Sequence, residues 1–150
     1  MSKPLVIGFT GTQQGLTLAQ REALSKYFDS LAGEIEFHHG DCVGADATAH
    51  RMMVRRARVF IHPSTHENKR AYCRGAFKVY PPKPPLDRNP DIIAEADLVV
   101  ACPHLMHEEQ RSGTWATVRE TFRRGRATVT VVWPDGHIQL NARPEELDRA

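Results

Sequence analysis

Arg111-Ser112-Gly113-Thr114-Trp115-Ala116-Thr117 is the stretch with the clearest chemical content in this chain. It follows an apolar run, Asp97 to Cys102, and opens an amphipathic segment that ends at Gly125. That order predicts strand, loop, helix. Ser-Gly-Thr at a helix start presents free backbone N–H groups and hydroxyls at the positive end of the helix dipole, which suits a phosphate. Gly8-x-x-Gly11-x-x-x-Gly15 is a second glycine-rich junction of this kind, and Gly40-Asp41-Cys42-Val43-Gly44-Ala45-Asp46 is a third. The first is neither a dinucleotide fingerprint nor a P-loop, since no Gly-Lys-Ser/Thr follows. Its backbone still offers donors to a phosphate or ribose, with Thr10 and Thr12 beside them. Three such junctions predict a nucleotide-type ligand.

Several side chains compete for roles around these turns. Asp46 suits ribose hydroxyls, or alternatively a helix cap. His50 is one turn further along and within reach of Asp46 on one helix face. His38, His39, Asp41 and His50 are metal-ligand types, but strand-end histidines and a helix pair explain them more simply, so no metal and no cofactor is expected. Cys42 lies near a predicted helix start, where a thiol pKa can fall. Trp115 either stacks on a base or fills a sheet–helix interface.

The elements that must position these residues follow from periodicity. Leu5–Phe9, Ile35–His38, Arg58–His62, Asp97–Cys102 and Ala127–Trp133 read as strands, with Phe77–Tyr80 as a short one. Helices are expected over Leu18–Leu31 after an N-cap at Thr17, over Ala45–Arg56, from Asp87 or Asn89 through Ala96, and over Gly113–Arg124. Pro81 to Pro85 reads as an extended connection, because proline lacks a donor and fixes its backbone. The prediction is an α/β fold: one Rossmann-like domain over residues 1–136, a mostly parallel sheet with helices on both faces, and a C-terminal tail over 137–150 with a short helix from Pro144. Ligands of such sheets bind at the carboxyl ends of the strands, where all three glycine loops must lie.

Composition narrows the classes. The chain has 150 residues, 41% hydrophobic and 25% charged, which fits one globular domain. No apolar run approaches a membrane span and the N-terminus lacks a signal-peptide core, so a cytoplasmic protein without a membrane partner is expected. Three cysteines without metal-type spacing read as reduced thiols. A net charge of +2 and 7% aromatic residues argue against a single-stranded nucleic acid as partner.

The residues also carry a family likeness. Gly8-Phe9-Thr10-Gly11-Thr12, His39 to Asp46 with Ala49-His50, Arg88-Asn89, and Arg111 to Thr117 occur in the order and spacing of the SMF/LOG (SLOG) superfamily. The chain resembles most closely its YspA-like branch, over Val6 to about Gly136. The resemblance implies binding of a nucleoside monophosphate or an ADP-ribose-type ligand, as a sensor or a processing protein. It implies phosphate contacts from Gly11, Thr12, Ser112, Gly113 and Thr114, charge from Arg88 and Arg111, and ribose contact from Asp46, with Gly40, Asp41 and Gly44 in the ligand loop. Arg88 matches the arginine at the reaction centre of LOG phosphoribohydrolases, which cut an N-glycosidic bond. Their catalytic glutamate falls at Thr117 here, and a threonine can neither stabilise an oxocarbenium-like centre by charge nor activate water as a carboxylate does. Glu120, Asp41 and Asp46 are the remaining acids, so catalysis would rest on Arg88 with one of them. The DNA-processing relatives bind single-stranded DNA, and the LOG relatives suggest a homodimer.

Overall fold

The computed structural model describes residues 3–147. Seven strands form one sheet: β1 (Leu5–Gly11), β2 (Ile35–His39), β3 (Arg58–Ile61), β4 (Lys78–Val79), β5 (Leu98–Cys102), β6 (Thr128–Val132) and β7 (Ile138–Gln139). Their order across the sheet is β4-β3-β2-β1-β5-β6-β7, and every pair is parallel except β6 with β7. Helices α1 (Leu18–Asp29), α2 (Ala45–Met53), α3 (Pro85–Ile93), α4 (Gly113–Arg124) and α5 (Pro144–Leu147) complete the chain. This is the expected Rossmann-like α/β architecture. No helix among the described residues is long and apolar enough to cross a membrane.

β5 shows why the central strands are continuous apolar runs. Leu98, Val100 and Cys102 enter one core with Phe9, Phe28 and Phe37, while Val99 and Ala101 enter the other with Ile92, Trp115 and Val118. A strand covered on both faces has no polar side to show. Trp115 is fully buried, with its ring 5.7 Å from that of Trp133, so it packs the sheet–helix interface rather than stacking on a ligand.

Local signals set the helix ends. Thr17 caps α1 in a reciprocal box with Gln20. Gly125 closes α4 in the left-handed conformation. α3 departs from expectation. It begins at Pro85, not at Asp87 or Asn89, so the proline run ends inside the helix. Proline at the first helical position loses no hydrogen bond, since that N–H has no intrahelical partner.

Beyond Gly136 the chain stays on the same body. β7 pairs with β6, the Ala142 N–H donates to Val129 O at 2.8 Å, and Leu147 is buried in the second core. Residues 148–150 of the expected tail lie outside the described residues.

The chain winds outward from β1 through β2, β3 and β4, then returns to place β5 on the other side of β1. Connections therefore leave in opposite directions from the carboxyl ends of β1 and β5, which opens a crevice between them.

Candidate ligand site at the β1/β5 switch point

A cavity of about 320 Å³ occupies that crevice. Nine of the sequence-predicted residues line it together: Gly11, Thr12, Gly40, Asp46, Arg88, Arg111, Ser112, Gly113 and Thr114. All three glycine loops thus meet at one rim. Asp41, Gly44 and Glu120 do not line it.

The α4 end of the cavity is built for an anion. Ser112 caps the helix by accepting the Trp115 N–H at 3.4 Å. Nothing lies within 4 Å of the position a Cβ would take on Gly113, so backbone faces open space there. Arg111 makes no ion pair among the described residues and is exposed beside this terminus. A partial positive charge, free amide donors and an unpaired guanidinium converge.

Arg88 is held differently from a free fork. It is 7% exposed. Its Nη1 donates to Gly40 O at 2.7 Å and to His62 O at 2.9 Å, its Nε donates to Asn89 Oδ1 at 2.9 Å, and its Nη2 lies 3.7 Å from Cys42 Sγ. Of five N–H donors, one on Nη2 stays without a partner among the described residues. The guanidinium therefore ties the ends of β2 and β3 together and keeps one donor for a ligand. A Cβ on Gly40 would sit 2.3 Å from Nη1, so this arrangement requires glycine at position 40.

Asp46 is not the cap of its own helix, a place taken by Gly44. Its Oδ2 accepts the N–H groups of Gly40 at 3.2 Å and Cys42 at 3.1 Å, while Oδ1 accepts from no N–H or hydroxyl among the described residues. Burial pushes its pKa up to about 6, against the pull of the Cys42 N–H and the Arg88 charge. One carboxylate oxygen is thus fixed and the other is available for a hydroxyl. Burial, with Asp46 next, also pushes the Cys42 thiol up to about 11, the reverse of the fall expected at a helix start.

Asp41 turns away from the cavity. It is fully buried at φ 58°, accepts Arg70 Nε–H at 2.7 Å and the Cys73 N–H at 3.0 Å, and its carbonyl accepts the Ala71 N–H at 2.7 Å. It anchors the 66–77 segment to the glycine loop instead of meeting a ligand. Gly44, at φ 91°, packs against the carbonyls of Thr12 and Gln13 and so joins the first loop to the second. Glu120 lies on the outer side of α4, paired with Arg123 and, at 3.1 Å, with Arg124, and hydrogen bonds from Arg124 and Arg123 hold its pKa down. It is not placed to act in the cavity.

His50 does not meet Asp46. Asp41 N–H donates to His39 Nδ1 at 2.9 Å, His39 Nε2 lies 2.9 Å from His50 Nδ1, and His50 Nε2 lies 2.6 Å from Arg74 O. A carbonyl only accepts, so His50 is protonated on Nε2 and His39 on Nε2, and each proton has a partner. His39, His50 and Cys73 offer ligand atoms within 4.8 Å of one another. Coordination through His39 Nε2 would move its proton to Nδ1, directly against the Asp41 N–H. The hydrogen-bond chain, not a metal, fits these atoms.

Two of the polar lining residues that escaped the sequence reading stand out. His104 and Glu109 come from the β5–α4 loop, and the Glu109 carboxylate has no partner among the described residues. Their place after a central strand, ahead of the Ser-Gly-Thr turn, was the available signal. No protein-family model, curated protein or solved structure matches the chain. The class that the architecture defines is a Rossmann-like α/β domain with a polar cleft at its switch point.

Proposed function

We propose that the protein binds a nucleotide or nucleotide-derived ligand in the β1/β5 cleft, as a cytoplasmic sensor or processing protein of SLOG type. The single observation that carries this reading is the convergence of three glycine loops, Asp46, Arg88 and Arg111 on one cavity. Its volume of about 320 Å³ lies at the lower end of the usual range for small-ligand pockets. In this reading the phosphate sits on the Gly113 and Thr114 amides beside Arg111, and Asp46 Oδ1 accepts a ribose hydroxyl. Arg88 supplies its remaining N–H to the phosphate–ribose linkage.

A second reading is N-glycosidic hydrolysis on the same site. Asp46 and Glu109 favour it, being two carboxyl groups at one cavity, one raised towards neutral pH. Water would add at the anomeric carbon as the C–N bond breaks, one carboxylate would take its proton, and the other carboxyl, protonated, would give its proton to the leaving base. Single-stranded nucleic acid has less support, because the cleft is small and Arg88 is spent largely on backbone carbonyls. A homodimer has only the family likeness behind it.

Thermal shift with a panel of nucleotides tests the binding reading. A ligand at a hundredfold excess over its dissociation constant stabilises the fold by about 2.7 kcal/mol. Stabilisation by nucleoside phosphates but not by nucleosides is expected, and no shift with any nucleotide contradicts the reading. Base release from AMP, CMP or NAD, followed by chromatography, separates hydrolase from sensor.

A further inference from the structure

A second cavity, of about 370 Å³, lies on the other side of Arg88. His38, His62, Tyr80, Lys83, Arg88 and Ala94 are among its walls, and Arg88 alone lines both cavities. Its Nη1 bonds the carbonyl of Gly40, which lines the first cavity, and that of His62, which lines the second.

The wall contributed by the sheet is a row of rings. Phe60 and His38 lie 4.6 Å apart with planes at 7°, His38 and His62 are 5.1 Å apart at 19°, and His62 and Tyr80 are 4.5 Å apart at 10°. Lys78 Nζ covers Tyr80 at 4.6 Å. His38 and His62 meet edge to edge, since a 2.8 Å N···N contact with centroids 5.1 Å apart lies in both ring planes, so Phe60 covers one face of His38 and Tyr80 one face of His62. Each imidazole keeps one face that no other ring covers, and such a π face takes a planar heterocycle in offset stacking.

The polar groups among these rings are incompletely matched. His38 Nδ1 and His62 Nε2 share one proton at 2.8 Å. His38 is only 8% exposed, yet its Nε2 has no hydrogen-bond partner among the described residues, and Glu36 Oε2 is 4.0 Å away. A buried polar atom without a partner costs roughly 1–3 kcal/mol, which is a reason to look for a ligand or water that meets it. Burial lowers both imidazoles to about 4, so they are neutral at pH 7.

Charge distinguishes the two cavities. In the second, Lys83 and Arg88 are balanced by Asp91 and Glu95, with Lys83 already paired to Asp91 at 2.7 Å. Nothing there favours a phosphate, whereas Pro63, Pro81 and Ala94 offer apolar surface for a neutral planar ring. The cavity sits at the β2/β3 side of the edge, two to three strand spacings from α4, or about 10–14 Å. A nucleotide seated with its phosphate on α4 fills the first cavity and leaves the second for another group.

We infer that the second cavity seats a second nitrogen heterocycle, and that the natural ligand is a dinucleotide whose two nucleosides lie on either side of Arg88. The inference rests on the nucleotide reading of the first cavity and adds the ligand's class. The bridging phosphates run from the Gly113 and Thr114 amides towards the free Nη2 N–H, and the outer heterocycle packs against His38 and His62.

Ala94 is exposed at the end of α3, so Ala94→Trp fills the second cavity without disturbing a core. Ala94→Arg narrows it from the same position and guards against a folding defect in the first variant. Calorimetric titration of wild type and both variants uses AMP and NAD as probes. The expected result is NAD binding at least about tenfold tighter than AMP in wild type, a gain of about 1.4 kcal/mol. Both variants lose that difference and keep AMP affinity. AMP binding with NAD no tighter, or NAD affinity unchanged by both variants, overturns the inference while the nucleotide reading stands. Binding of neither probe overturns both.

Discussion

Asp46 and Arg88 grip opposite ends of one residue: the Gly40 N–H donates to Asp46 Oδ2 at 3.2 Å, and the Gly40 carbonyl accepts from Arg88 Nη1 at 2.7 Å. The acid from α2 and the base from α3 are thereby set in register by a single peptide at the end of β2. Each keeps one atom to offer a ligand, Oδ1 and one N–H of Nη2. A Cβ on Gly40 would collide with Nη1 at 2.3 Å, so Gly40→Ala expels the guanidinium and breaks its bonds to Gly40 and His62. We expect a stability loss of about 2–4 kcal/mol by denaturant unfolding, together with loss of nucleotide binding. A variant that unfolds and binds like wild type would show that Arg88 is not fixed through Gly40.

The raised Asp46 pKa has a defined sign. Its folded value, about 6, exceeds the ordinary value of 3.8, so the native state holds the extra proton between those limits. Stability from this group is full below pH 4 and is lost as pH rises through 6, by on the order of 2–3 kcal/mol. Asp46→Asn therefore gains on wild type in apo stability as pH climbs from 4 to 7. The lowered His38, His39 and His62 contribute the opposite slope in both proteins and cancel in the difference. Ribose binding needs the ionised acid, so the wild-type advantage in nucleotide affinity appears only as pH passes 6. The comparison with Asp46→Asn also removes the phosphate's own ionisation near pH 6. Parallel pH profiles for the two proteins would refute this role.

Asp41 is the test of an anchor as opposed to a ligand contact. Asp41→Ala strands Arg70 and the Cys73 N–H, and about 3 kcal/mol of stability should be lost. Chemical denaturation reads this directly. A loss under 1 kcal/mol would mean that the 66–77 segment is held by its backbone contacts alone.

The two glutamates of the β5–α4 region should separate cleanly. Glu120 is engaged by Arg123 and Arg124 away from the cleft, so Glu120→Gln leaves nucleotide affinity and any base release within twofold of wild type, or about 0.4 kcal/mol. Glu109→Gln, in the cavity wall, changes one or both. The reverse pattern in a chromatographic release assay would return the acid role to Glu120.

Much of this geometry was legible from residue order. β5 is apolar at every position because both its faces are covered, and the glycine loops follow parallel strands, so they had to share an edge. What failed were inferences that needed direction or distance. Glu120 is seven residues beyond Gly113, about 10 Å down the helix axis from the cleft. His50 is a helical neighbour of Asp46 yet turns to His39, eleven residues back. Asp41 finds Arg70, 29 residues ahead, and no local pattern announces such a pairing. Glu109 lies in the irregular β5–α4 loop, where no periodicity fixes the direction of a side chain.

The most direct measurement of the central claim is a nitrogen–proton correlation spectrum of the protein titrated with AMP, run in parallel with Gly113→Ala. Position 113 has open space for a methyl group, so the variant folds normally while the new Cβ projects into the anion seat. The account predicts saturable shifts concentrated on the amides of Gly11, Thr12, Gly40, Gly113 and Thr114 in wild type, and weakening by about tenfold or more in the variant. Shifts that cluster away from the β1/β5 cleft, or an AMP response that Gly113→Ala leaves intact, would contradict it.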